Sequence, residues 1–192
     1  LEAIIRRSKE RGMEVYLDPW GVGGVFGGET FSRFVADHLE ARQIARDGTS
    51  LPAACPNHPA FRELMNLWIQ RAAELGADVA LWDEPHFFHD FTHSASWENW
   101  ACRCPACRDI YRKENGAEMP DQLTPEVERL RQGCMLRFLG ENCAEAKRLG
   151  MRNCVCLLPD ETGSLAKVAG TSAWDAIARL PAGLAKYAWS AT

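Results

Sequence analysis

The chain has 192 residues, 46% of them hydrophobic and 25% charged, with a net charge of −4, which suits one soluble globular domain with a sizeable core. Its basic residues are spread along helical segments, so neither nucleic acid nor an anionic membrane is an expected partner. No apolar stretch approaches the ~20 residues needed to span a bilayer.

The first eleven residues read as the end of a helix stopped by Gly12, and the chain, opening mid-pattern at Leu1, is taken as a piece of a longer protein. Met13 to Leu17 is expected as a strand running into Asp18-Pro19-Trp20. The glycine-rich stretch Gly21 to Thr30 reads as a substrate-side loop in preference to a phosphate cradle, for which no helix N-terminus is correctly spaced. Phe31 to Leu39 is a short helix, and Arg42 to Pro52 a hairpin turning at Asp47-Gly48. An amphipathic helix follows, capped by Asn57, started by Pro59 and ended by Gly76, with Phe61, Leu64, Met65, Trp68, Ile69, Ala72 and Leu75 at helical spacing.

Val79 to Trp82 is then a buried strand that empties into Asp83 and Glu84 before Pro85 stops it. Strand alternation points Asp83 and Glu84 to opposite sides. An aromatic and histidine-rich loop leads to Cys102-x-Cys104-x-x-Cys107, a spacing suited to metal ligation. Cys134, Cys143, Cys154 and Cys156 sit singly in apolar patterns and read as small buried hydrophobes. That balance of cysteines favours a reducing compartment, hence a cytoplasmic location.

Beyond the cluster, residues 108–113 continue as a short helix. Thr124-Pro125-Glu126 starts a long one ending at Gly150, its buried stripe marked by Val127, Leu130, Cys134, Phe138, Ala146 and Leu149. Asn153 to Leu158 is a strand entering Pro159-Asp160-Glu161, Trp174 to Leu180 is helical, and residues 181–192 carry no clear pattern. Three times, then, a helix ends on glycine, an apolar strand follows, and the strand ends in an acid beside a proline. This is the grammar of parallel α/β proteins, and acids at successive strand ends point to one mouth, as in a (β/α)₈ barrel. A doubly wound sheet fits nearly as well, and a barrel would be incomplete at this length.

The run Cys55-Pro56-Asn57-His58-Pro59-Ala60-Phe61-Arg62-Glu63, the later Asp83-Glu84 and the Cys102-Arg103-Cys104-Pro105-Ala106-Cys107 cluster together resemble the family 42 glycoside hydrolases. Those are zinc-stapled barrel β-galactosidases of the clan with two catalytic glutamates. The resemblance covers residues 13–110 and implies one partial barrel domain over 1–192, holding about the third to sixth strands. It further implies a structural zinc held by Cys55, Cys102, Cys104 and Cys107 in the loop at 100–108, and Glu84 as acid/base. Asp83 stands where that clan has asparagine, and the clan's nucleophile falls beyond the matched part.

The expected function is therefore hydrolysis of a carbohydrate through Glu84, with Asp18, Trp20, Asp83, His86 and Asp160 placed to bind it. Glu161 shares the presumed mouth with Asp160. Trp20, Phe87, Phe88, Trp97 and Trp100 could offer platforms to sugar rings or pack the loops down. Two rivals stand beside this reading: a catalytically silent carbohydrate-binding barrel, and a metal-dependent hydrolase built on His86, His89, Asp90 and His93. His58 competes with Cys55 as the fourth ligand of the cysteine cluster.

Overall fold

A computed structural model describes residues 1–27, 31–88, 99–157 and 185–188, with no account of the side chains of Leu157 or of 185–188. Helix α1 (Glu2–Glu10) precedes strand β1 (Tyr16–Leu17), and α2 (Arg33–Asp37) precedes a hairpin of β2 (Arg42–Ile44) and β3 (Ser50–Ala54). Helix α3 (Pro59–Glu74) leads to β4 (Val79–Asp83), after which come α4 (Pro105–Asn115), α5 (Pro125–Arg148), β5 (Arg152–Leu157) and β6 (Ala185–Ala188).

Strands β1, β4, β5 and β6 lie side by side in that order, and every pairing is parallel. Tyr16 sits opposite Val79, Asp83 opposite Cys156, and Cys154 opposite Ala185. The order runs without reversal along the chain, which is barrel grammar; a doubly wound sheet reverses its order at a switch point. Among the described residues the sheet is open, an arc and not a closed barrel. Part of the patternless tail, 185–188, becomes its fourth strand, whereas the helix expected at Trp174–Leu180 lies outside the described residues.

The core lies between this sheet and helices α3 and α5. Phe61, Met65, Ile69 and Ala72 form the inward face of α3, as their spacing predicts. Pro59 occupies the first turn, but the cap is His58, because Asn57 is drawn to the cysteine cluster. Thr124 caps α5 by accepting from the Val127 backbone N–H, and the helix runs unbroken past Gly133 and Gly140, each of which faces open space. Phe138 of α5 stacks between Phe26 (5.9 Å) and Phe61 (5.6 Å), and its burial contributes roughly 1.5–3 kcal/mol.

Ala80 and Trp82 of β4 join this helix-side core, and Trp82 Nε1 donates to Asn153 Oδ1 at 2.9 Å. Alternation therefore puts Val79, Leu81 and Asp83 on the sheet's other face. No helix among the described residues is long and apolar enough to cross a membrane.

Candidate functional site

Strand β4 lies between β1 and β5, so its C-terminal end meets theirs. Asp83 points to the sheet face away from the helices. Glu84 should point the other way, and the structure corrects that expectation: Glu84 has φ +42, and this left-handed turn brings its carboxylate back beside Asp83. Carboxylate oxygens of Asp83 and Glu84 and Sγ of Cys156 all lie within 4.8 Å of one another. Glutamate enters the left-handed region rarely, at a cost of order 1–3 kcal/mol, so the surrounding bonds must hold it there.

Those bonds are visible. The Glu84 N–H donates to Cys156 O (2.9 Å), Gly27 N–H to Asp83 O (2.8 Å) and His86 N–H to Val25 O (3.0 Å). His86 Nδ1 lies 2.5 Å from Glu84 O. Phe88 N–H donates to Oε1 of the buried Gln43, whose Nε2 donates to Ala54 O. The described part of the glycine-rich loop is thus strapped across the strand end. Its Gly27 has φ +63, and a Cβ there would sit 2.5 Å from the Trp20 ring, so glycine alone lets that ring lie flat on the loop.

Glu84 and Asp18 at this mouth hold protons more tightly than usual. Burial, and then the charge of Asp83, raise Glu84 above the ordinary carboxylate range, and the same two causes push Asp18 up to about 6. Asp18 Oδ1 is buried with no hydrogen-bond partner among the described residues. Cys156 is not fully buried as its pattern predicts: it is half-buried at the mouth, and burial together with its hydrogen bond to Asp83 pushes the thiol up to about 12. Cys134, Cys143 and Cys154 are buried as expected.

Trp20 is 52% exposed. Phe87 and Trp100 are too buried to serve as platforms: they are 1% and 3% exposed, and Trp100 Nε1 donates to Asp121 O, which fixes the loop. Desolvation lowers the pKa of His86, which belongs to no ligand group among the described residues. His89, Asp90, His93, Trp97, Asp160 and Glu161 lie outside the described residues.

The second constellation is the cysteine cluster. Cys55, Cys102, Cys104 and Cys107 are buried, and their four sulfurs lie within 4.8 Å of one another. Cys55 Sγ is 3.5 Å from Cys107 Sγ and 3.4 Å from Cys104 Sγ. Four sulfurs at ~2.3 Å around a tetrahedral ion would be ~3.8 Å apart, so an ion fits after small outward shifts. His58 stays out of this group, although its N–H donates to Cys55 O.

Cys55 follows β3 and the other three cysteines surround the start of α4, so the cluster joins two successive units of the fold. Backbone pairing supports it: Arg103 N–H donates to Ile44 O and Arg46 N–H to Trp100 O, which lays 100–103 along the hairpin. Without a cation the four thiols cannot all ionise. Hydrogen bonding to Cys102 and burial push Cys55 and Cys107 up, while hydrogen bonding to Cys102, Cys107 and Cys55 holds Cys104 far down.

Asn57 is the residue that sequence reasoning misassigned. Its N–H donates to Cys55 Sγ at 3.4 Å and its Nδ2 to Cys107 Sγ at 3.3 Å. The Cys104 N–H donates likewise to Cys102 Sγ at 3.4 Å.

No protein-family profile and no curated protein matches the sequence. Solved structures do resemble the fold. An inactive mutant of the GH20 exo-β-N-acetylglucosaminidase from Vibrio harveyi superposes with a TM-score of 0.53 at 14% identity, over 99% of this chain and 25% of that one. The β-N-acetylhexosaminidase from Bacteroides fragilis gives a TM-score of 0.50 at 14% identity, over 98% of this chain and 30% of that one. These neighbours are barrel glycosidases of a family other than 42, so the barrel expectation is supported generally and the family 42 placement is not. The chain thus shares part of a (β/α)-barrel fold with these neighbours, and spans between 25% and 30% of the length of the two named here.

Proposed function

We propose that this chain forms part of a barrel glycoside hydrolase in which Glu84 is the general acid/base. The carrying observation is the Glu84 carboxylate itself: at the end of an inner strand, turned by a positive φ against Asp83, and raised in pKa by burial. A protonated carboxyl at such a mouth can donate to a glycosidic oxygen as the bond to the leaving group breaks. Asp83, held by the Cys156 thiol and the Gly27 loop, orients the sugar from the neighbouring position, and the exposed Trp20 offers a face for the ring to stack on. Asp18, at the end of the neighbouring strand, binds a sugar hydroxyl in this reading.

Some glycosidases need no protein nucleophile, because a 2-acetamido group on the substrate attacks in its place. The Vibrio harveyi neighbour acts on N-acetylglucosamine units by its name, so 2-acetamido sugars are the first substrates we assign here. Asp83 would then hold the acetamide while Glu84 donates the proton. Incubation of the full-length protein with 4-nitrophenyl 2-acetamido-2-deoxy sugars and with the corresponding plain hexosides tests this. Faster release from the 2-acetamido substrates is expected, while no release from any of them favours the silent carbohydrate-binding barrel.

Cys55, Cys102, Cys104 and Cys107 hold a structural zinc in this reading. Four thiolates leave no open position, so the ion serves as a cross-link between the hairpin and the loop beyond Glu84. Elemental analysis of the purified protein should give one zinc per chain.

A further inference from the structure

The N–H groups that reach the cluster sulfurs differ in origin. Cys55 Sγ and Cys102 Sγ each accept from the backbone two residues further on, from the Asn57 and Cys104 N–H groups, both at 3.4 Å. Cys107 Sγ accepts instead from the side-chain Nδ2 of Asn57, at 3.3 Å and across fifty positions of sequence. The reason lies in α4. Cys107 stands in its first turn, so the backbone N–H groups that follow it are engaged by carbonyls of the same helix, beginning with Arg108 N–H on Cys104 O. A donor for that sulfur has to come from another segment.

The local structure prepares Asn57 for this. Residues 55–58 form a turn closed by His58 N–H donating to Cys55 O at 2.9 Å, with Pro56 at the second position, where its fixed φ suits the turn. Arg62 Nε donates to Pro56 O at 3.0 Å, and the same guanidinium pairs with Glu141 of α5. The turn is thus held from outside the cluster, and Asn57 on it is only 9% exposed. This one residue reaches a sulfur on each side of the cross-link, Cys55 after β3 and Cys107 on α4.

We propose that Asn57 clasps the two sides of a metal-bound Cys55/Cys102/Cys104/Cys107 centre, donating through its backbone to Cys55 and through its amide to Cys107, and so holds Cys107 in place for the ion. The inference rests on the metal reading above. A metal-bound thiolate accepts hydrogen bonds and cannot donate them, so only the Nδ2 side of the amide serves Cys107. Asn57 is a positioning residue: it touches neither sugar nor reacting atoms, and it acts on the loop beyond Glu84 only through the cluster.

The test measures zinc(II) affinity by competition with a chromophoric chelator, and the thiolate-to-metal charge-transfer band after cobalt(II) substitution, in the full-length parent, Asn57→Ala and Asn57→Asp. Loss of a group that supports a metal ligand typically costs about 10–100-fold in affinity, and that loss is expected for Asn57→Ala. The band should also move to lower energy, because the Cys107 sulfur loses a hydrogen bond that stabilises its electrons. Asn57→Asp keeps the shape but sets a carboxylate against a thiolate, so it should bind more weakly still. A packing role predicts the reverse order, with the aspartate variant close to the parent.

Parent-like affinity and an unmoved band in either variant would overturn the inference while leaving the metal centre standing. A parent protein that binds no metal would overturn both. If Asn57→Ala does not fold in excess zinc, Asn57→Ser against Asn57→Asp decides: weaker binding by the aspartate variant upholds the donor role, and equal or tighter binding refutes it.

Discussion

Removing one ligand of the cysteine cluster should expose how much of the fold depends on it. Cys55 is the informative choice, because it alone reaches the cluster from the β3–α3 side, and its sulfur sits 3.4 and 3.5 Å from Cys104 and Cys107. In Cys55→Ala the loss of the buried sulfur as packing costs roughly 1 kcal/mol. The larger loss is the linkage: an ion held at 1,000 times its dissociation constant stabilises the folded chain by about 4.1 kcal/mol. For a chain of this size about 2–4 °C of Tm accompanies each kcal/mol, so a drop of about 8–16 °C is expected beyond the packing effect. Thermal melts of Cys55→Ala and of Cys143→Ala, a buried cysteine outside the cluster, in zinc-replete buffer make the comparison. Cys143→Ala should lose only the packing component and keep its metal. Equal melting temperatures for the two variants, with metal content unchanged in both, would refute the staple.

Other perturbations follow from individual contacts. Gly23 has φ +69 and a Cβ there would overlap the Phe61 ring, so Gly23→Ala should cost roughly 2–5 kcal/mol from backbone strain plus overpacking. Gly12→Ala, equally left-handed but facing open space, should cost only the backbone share, and chemical denaturation distinguishes the two. Asp18 is raised from 3.8 to about 6, so its contribution to stability is complete below pH 3.8 and lost as pH rises through about 6. Asp18→Asn should therefore gain stability over the parent above that window and lose the advantage below it, as read by denaturation across pH. Asp83→Asn removes a charge that raises Glu84, so the alkaline limb of the kcat/KM profile should move to lower pH.

The parts legible in the sequence are those governed by local periodicity. The stripe of Phe61, Met65, Ile69 and Ala72, the Thr124 cap and the Asp47-Gly48 hairpin each follow from spacing or turn chemistry, and the structure shows them. The helix–glycine–strand repeat likewise foretold that β1, β4 and β5 are parallel neighbours. What sequence could not yield depends on contacts between distant segments. Asn57 looks like a cap from its neighbours, yet Cys107, fifty positions away, takes its side chain. The turn at Glu84 that reverses alternation is imposed by the Cys156 carbonyl and the loop at 25–27, neither of which is near it in sequence. Arg131 falls on the buried stripe of α5 by position, but only the fold shows its guanidinium set against the Phe87 and Trp100 rings.

The most direct test of the account is Glu84→Gln in the full-length protein, assayed on an unactivated oligosaccharide and on an aryl glycoside with a good leaving group. Glutamine keeps the shape but cannot deliver a proton, so kcat on the unactivated sugar should fall by about 10²–10⁴-fold. The activated substrate, which needs little protonation, should suffer far less. Undiminished hydrolysis of the unactivated sugar by Glu84→Gln would contradict the assignment of Glu84 as the acid.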